Sequence, residues 1–181
     1  MNYDKRNIST NELLGLLHEI DGRMQTYLKK PRLYACGGTL MMLKGLRETS
    51  KDLDFLLSRE DNLAVSGIVR LAELQQNVRI DLFPDGRLLS YQLEKYWEGA
   101  KPLHCGTRRL DIYGVDKTTF LVMKLMAGRQ HDMEDLQKYC PPGTVPREAA
   151  LQRYADFRVD AAHKETTEKK FFSHLDTFCP R

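Results

Sequence analysis

The chain has 181 residues with 28 Lys or Arg and 25 Asp or Glu, a net charge of +3 too small to imply a nucleic-acid partner by itself. Hydrophobic residues make up 41% and charged residues 29%, with a mean hydropathy of −0.51. No apolar run approaches the ~20 residues that a membrane-spanning helix needs, and a globular chain of this length hides about 70% of its unfolded surface. The four cysteines (Cys36, Cys105, Cys140, Cys179) are scattered without zinc-ligand spacing, which fits reduced thiols in a cytosolic protein. The opening MNYDKRNISTNE has no hydrophobic signal region, so export is not expected and a cytoplasmic location is.

In chain order, Ser9-Thr10-Asn11-Glu12 fits a capping box opening a helix. Leu13, Leu16, Leu17, Ile20, Met24 and Leu28 continue it as one apolar stripe to about Lys29, before Pro31. A strand is expected at about 32–36, broken by Gly37-Gly38, with a helix at about 39–46. A second strand is expected at 52–58 and a helix at about 61–75, capped by Ser58 or Asp61, with Leu63, Ile68, Leu71 and Leu74 available for burial. VRIDLF (78–83) reads as a third strand, closed by Pro84-Asp85-Gly86. Residues 87–100 read as partly helical, and 103–105 with 109–113 as a hairpin around Gly106-Thr107. Asp116 caps an apolar helix that Gly128 ends, and a shorter helix covers about 131–139. After Pro141-Pro142-Gly143 the remainder reads as charged helix. The pattern predicts an α/β (α+β) fold, with one domain over 1–140 and a helical C-terminal extension over 141–181 packed on it.

The stretch 36–55, CGGTLMMLKGLRETSKDLDF, carries the chemistry. Asp52 and Asp54 lie two apart on a strand, so their carboxylates project from one face, and a divalent cation is the usual reason to tolerate such a pair. A strand breaking at Gly37-Gly38 into a helix aims backbone N–H groups at an anion such as a phosphate. Asp81 adds a third carboxylate; on a neighbouring strand its Cβ comes within roughly 5 Å of that of Asp54. Three convergent carboxylates suit Mg²⁺ and in-line phosphoryl displacement, with Asp81 also placed to accept the proton of an attacking hydroxyl.

Gly37-Gly38-Thr39, the spacer of twelve residues (40–51) and Asp52-Leu53-Asp54 resemble the signature of polymerase-β-like nucleotidyltransferases, with the third acid falling on Asp81. GLRETSKDLDFLL (45–57) and LVMKLMAGRQHDMEDL (121–136) resemble, more narrowly, minimal nucleotidyltransferases related to AbiEii-type toxin–antitoxin proteins. The resemblance covers about 31–140 and implies a small mixed sheet flanked by helices. It implies nucleotide binding by Gly37, Gly38, Thr39, Lys124 and Arg129, metal binding and catalysis by Asp52, Asp54 and Asp81, and support from Asp132 and Asp135; Lys51, between the two halves of the motif, is a further expected nucleotide contact by its position. The implied activity is Mg²⁺-dependent transfer of a nucleoside monophosphate from a nucleoside triphosphate to a hydroxyl on RNA (tRNA among the candidates) or protein. A cognate toxin or antitoxin is the implied protein partner. The alternative is a catalytically inactive partner of the same fold in a toxin–antitoxin or regulatory pair.

Simpler readings stand beside these. Lys124 can lay its stem on apolar surface with its ammonium in water, and Asp132 and Asp135 can serve as a helix cap and a first-turn acid. Lys44, Arg47 and Lys51 can be a solvated helix face as well as phosphate contacts. His131-Asp132 resembles the metal dyad of HD phosphohydrolases, but that fold needs further spaced histidines, and His18, His104, His163 and His174 are scattered.

Overall fold

The computed structural model describes residues 6–24, 29–88 and 90–180. Among these, no helix is long and apolar enough to cross a membrane. The chain divides into two compact units, Met1–Asp85 with Ala100–Gly114, and Gly86–Gly99 with Val115–Arg181. That division falls elsewhere than the expected boundary after residue 140.

The first unit begins with β1 (Ile8–Ser9), α1 (Thr10–Arg23), β2 (Arg32–Ala35), α2 (Gly37–Leu43), β3 (Thr49–Ser50), β4 (Asp52–Leu57), α3 (Arg59–Gln76) and β5 (Arg79–Pro84). The chain then passes through β6 (Tyr91–Leu93) of the second unit and returns for β7 (Lys101–Pro102) and β8 (Asp111–Gly114). The second unit continues with α4 (Lys117–Ala127), α5 (Gln130–Tyr139), α6 (Arg147–Ala155), β9 (Phe157–Val159), a 3₁₀ turn (Ala161–His163) and α7 (Lys164–Phe178).

A five-stranded mixed sheet in the order β5-β4-β2-β8-β7 organises the first unit. β4 runs antiparallel to β2 and parallel to β5, which α3 reaches by crossing over. Leu33, Ala35, Leu53, Phe55 and Ile80 are buried, so the alternation along these strands sends one set of side chains into the core. The expected capping box opens α1: Ser9 Oγ accepts from the Glu12 N–H, and Glu12 accepts from the Ser9 N–H. These bonds to Ser9, with the nearby Arg6, hold the Glu12 carboxyl down to about 2. β1 and β3 form a separate two-stranded pairing.

In the second unit α4 is buried at every position from Thr119 to Met126, because α5, α6 and α7 all pack on it. Asp116 caps it, its Oδ1 accepting from the N–H groups of Thr118 and Thr119. Gly128 ends it at φ +62, where a Cβ would also press on the side chain of Lys170 at about 3 Å. Tyr154 stacks on Phe171 at 4.1 Å between α6 and α7.

The expected α/β (α+β) class is present, with several local corrections. α1 stops at Arg23, and Met24 is extended, so the stripe does not run unbroken to Lys29; Leu28 lies outside the described residues. α2 begins at the glycines and ends at Leu43, with Gly45 in the left-handed region at φ +70. Residues 87–100 hold β6 and turns instead of a helix, and β6 pairs antiparallel with β9, a strand absent from the sequence reading. The expected hairpin exists as β7 against β8, shifted outward to pair Pro102 with Tyr113.

α3 turns a different face inward than expected. Val65, Val69 and Ala72 are buried, whereas Leu63 is 82% exposed and Leu71 and Leu74 are also in water. The smaller residues lie on the side from which α3 packs on α1 and β5. Leu63→Ala is therefore expected to change the stability from urea unfolding by no more than about 0.5 kcal/mol. Val69→Ala should cost about 1–3 kcal/mol. A larger loss at Leu63 would put the leucine face against the core.

Candidate active site

Register places the acids. β4 and β5 are parallel, with Asp54 opposite Asp81 and Asp52 opposite Arg79. Residues paired in this way share a face, so Asp52, Asp54, Asp81 and Arg79 form a four-residue patch on one side of the sheet. β5 is the outermost strand and Asp52 is about half exposed, which leaves the patch open to solvent.

The turn between β2 and α2 fixes Asp54. Its N–H donates to Thr39 Oγ1 at 2.7 Å, and its carbonyl accepts from the Cys36 N–H at 3.2 Å. Gly37 sits at φ +52 with its Cα beneath the Asp54 carboxylate; a Cβ there would stand 2.9 Å from Oδ2. Gly38 gives similar room to Ser50 Oγ and the Arg47 guanidinium, at 2.8 and 2.9 Å from where its Cβ would be. Ser50 Oγ in turn donates to the Asp52 carbonyl at 2.9 Å. The glycine pair thus lets a carboxylate and a guanidinium approach adjacent Cα atoms, and the first N–H groups of α2 have no partner inside their own helix.

Arg79 was not foreseen in the sequence. Its Nε lies 3.1 and 2.9 Å from the two oxygens of Asp81 and 3.7 Å from Asp52 Oδ1. The Asp81 hydrogen bond and charge, followed by the charges of Asp52 and Asp54, raise the guanidinium above its ordinary value. One cation thus feels all three acids. The signal was available: Arg79 and Asp81 are two apart on a strand, the same rule that joins Asp52 to Asp54.

The donor chemistry of Asp52, Asp54 and Asp81, three carboxylates on neighbouring strands, suits a hard divalent cation such as Mg²⁺. In their present rotamers Asp52 and Asp81 face Arg79. Among the described residues, no three His, Cys, Asp or Glu side chains are gathered closely enough to hold an ion. The fit is therefore one of chemistry and strand placement. Thr39, expected at the triphosphate, is fully buried and engaged with Asp54, so its visible role is to position that acid. Lys51 is exposed, directly before β4.

The remaining expected residues form a cluster within the second unit. Lys124 is 6% exposed, and its Nζ donates to Asp132 Oδ1 at 2.7 Å and Asp135 Oδ2 at 2.6 Å. Arg129 Nε donates to Asp132 Oδ2 at 2.7 Å, and the Arg129 N–H also reaches that oxygen. His131 Nε2 stands 3.5 Å from Asp132 Oδ1. Asp132 and Asp135 are one turn apart, as expected, and they hold α5 to α4 through Lys124. This answers the cost of an ammonium on an apolar helix. Burial opposes ionisation of Asp132, but the Arg129 hydrogen bond and the Lys124 charge outweigh it and lower its pKa.

No family model, curated protein or solved structure matches this chain.

Two measurements check these placements. Gly37→Ala and Gly45→Ala each force a side chain into the left-handed region, at about 1–2 kcal/mol. Nothing lies within 4 Å of a Cβ at Gly45, so Gly37→Ala should cost visibly more in urea unfolding. Equal costs would remove the close approach of Asp54. For Asp132, a folded pKa below the unfolded value of about 3.9 means that its stabilisation is complete above that value. It is lost as pH falls through the lower folded value. The stability gap between wild type and Asp132→Asn should therefore narrow on acidification below about pH 4. A gap that is independent of pH would contradict the ionised cluster.

Proposed function

We propose that the protein is a nucleotidyltransferase, moving a nucleoside monophosphate from a nucleoside triphosphate to a hydroxyl with release of pyrophosphate. The observation that carries this reading is the placement of Asp52, Asp54 and Asp81 on one face of two adjacent strands, beside the Gly37-Gly38 turn. Asp52, Asp54 and Asp81 are the residues that would hold Mg²⁺, which when bound supplies charge neutralisation for the triphosphate. The backbone at Gly37 and Gly38 is the proposed phosphate cradle, with Arg47 and Lys51 adding positive charge nearby. Asp81 is the proposed acceptor of the attacking hydroxyl's proton. Thr39 positions Asp54, and Lys124, Asp132 and Asp135 hold α4 to α5. Arg129 holds Asp132 and closes one side of that cluster. The acceptor class is an RNA end, tRNA included, or a protein hydroxyl.

One observation favours a second reading, a non-catalytic partner protein of a toxin–antitoxin or regulatory pair. Arg79 already offsets the charge of Asp52 and Asp81, so the acids are tolerable without a metal. Calorimetric titration with each nucleoside triphosphate in Mg²⁺ separates the two. Binding that is lost in Asp52→Ala supports the enzyme, and no binding at millimolar nucleotide supports the partner.

Activity is tested by incubating the protein with labelled nucleoside triphosphates, Mg²⁺ and total cell RNA or lysate. Label transfer is expected for wild type and should fall by about a hundredfold or more in Asp54→Asn, as for loss of a preorganised electrostatic group. Transfer no greater than that of the variant would sink the enzyme reading.

A further inference from the structure

We propose that Arg79 is a built-in counter-cation of the carboxylate patch, and that a divalent ion must displace it from Asp52 and Asp81 in order to bind. The inference rests on the metal-binding reading of Asp52, Asp54 and Asp81, and it deepens that reading by naming what sets the affinity.

Two observations carry it. Arg79 lies opposite Asp52 in the β4–β5 register and two residues before Asp81 on the same face, so it neighbours both acids. Its Nε is within ion-pair distance of both, at 2.9 Å from Asp81 and 3.7 Å from Asp52. The carboxylate oxygens that would ligate an ion are thus the oxygens that Arg79 now engages.

A divalent cation disfavours a guanidinium on the same oxygens, because the metal draws the carboxylates into its own shell and repels a neighbouring positive charge. Arg79 is about half exposed on an outermost strand, so its side chain can swing into solvent without opening the core. Its flexible stem and persistent charge make it a displaceable placeholder, balancing Asp52 and Asp81 when no ion is there. Released, the guanidinium stays beside the patch, where an anionic triphosphate is proposed to lie. In this account Arg79 is a positioning residue: it acts on the reaction through the carboxylates.

Manganese titrated calorimetrically into metal-free wild type, Arg79→Met and Arg79→Lys tests the proposal, with thermal melts as a check on folding. Arg79→Met should bind Mn²⁺ about twofold to fivefold more tightly than wild type, the scale of losing a competing exposed ion pair. Arg79→Lys, which keeps the charge, should stay close to wild type. A merely structural role predicts the opposite sign, since a loosened patch binds more weakly. A second readout uses unaltered protein: the Arg79 Nε–H signal in nitrogen-15 NMR should shift and exchange faster with water as Mg²⁺ saturates. Equal or weaker Mn²⁺ binding by Arg79→Met, or an Arg79 signal unmoved at saturation, overturns the proposal while leaving the metal reading intact. Absence of Mn²⁺ binding in wild type and in both variants overturns the metal reading, and this proposal with it.

Discussion

The clamp on Asp54 is the constraint from which the arrangement of the first unit follows. Its N–H is held by Thr39 and its carbonyl by Cys36, so the turn after β2 and the middle of β4 are locked at one position. The Asp54 side chain must then rise over Gly37, which only a residue without a Cβ permits at this φ. Parallel pairing carries the placement to β5, where Asp81 stands opposite Asp54. Two hydrogen bonds and one glycine thus determine where the candidate acids meet. The sequence motif that suggests a phosphate turn is, in the fold, a device for holding a carboxylate.

Charge is handled in two different ways in the two units. The patch on β4 and β5 is partly exposed and balanced by one guanidinium, an arrangement that water and ions can rework. The Lys124–Asp132–Asp135 cluster is buried and short, with Arg129 closing one side. Removing one partner from such a cluster strands a buried charge, at about 3–5 kcal/mol, so these residues are better suited to architecture than to a changing ligand. The residues expected to act together therefore divide by burial into an open patch and a fixed brace.

Features set by a few consecutive residues were legible from sequence. The capping box at Ser9 and Glu12, the caps at Ser58 and Asp116, and the stop at Gly128 depend on side chains within one turn. The shared face of Asp52 and Asp54 follows from strand period alone, and Asp81 joins it through the β4–β5 pairing. What failed depended on partners far along the chain. α3 carries two apolar stripes, and the larger leucines lost to Val65, Val69 and Ala72, a choice made by what packs on the helix. The pairing of Leu93 with Phe157 joins segments with no local signal. Arg79 carries no motif of its own, although it follows the same two-residue period as the acids.

A crystal structure grown with Mg²⁺ and a non-hydrolysable nucleoside triphosphate tests the central claim most directly. The account predicts metal density bounded by Asp52, Asp54 and Asp81, phosphate density against the backbone of Gly37 and Gly38, and Arg79 turned away from Asp52. A triphosphate bound elsewhere, or carboxylates still paired with Arg79 at saturating Mg²⁺ and nucleotide, would contradict it.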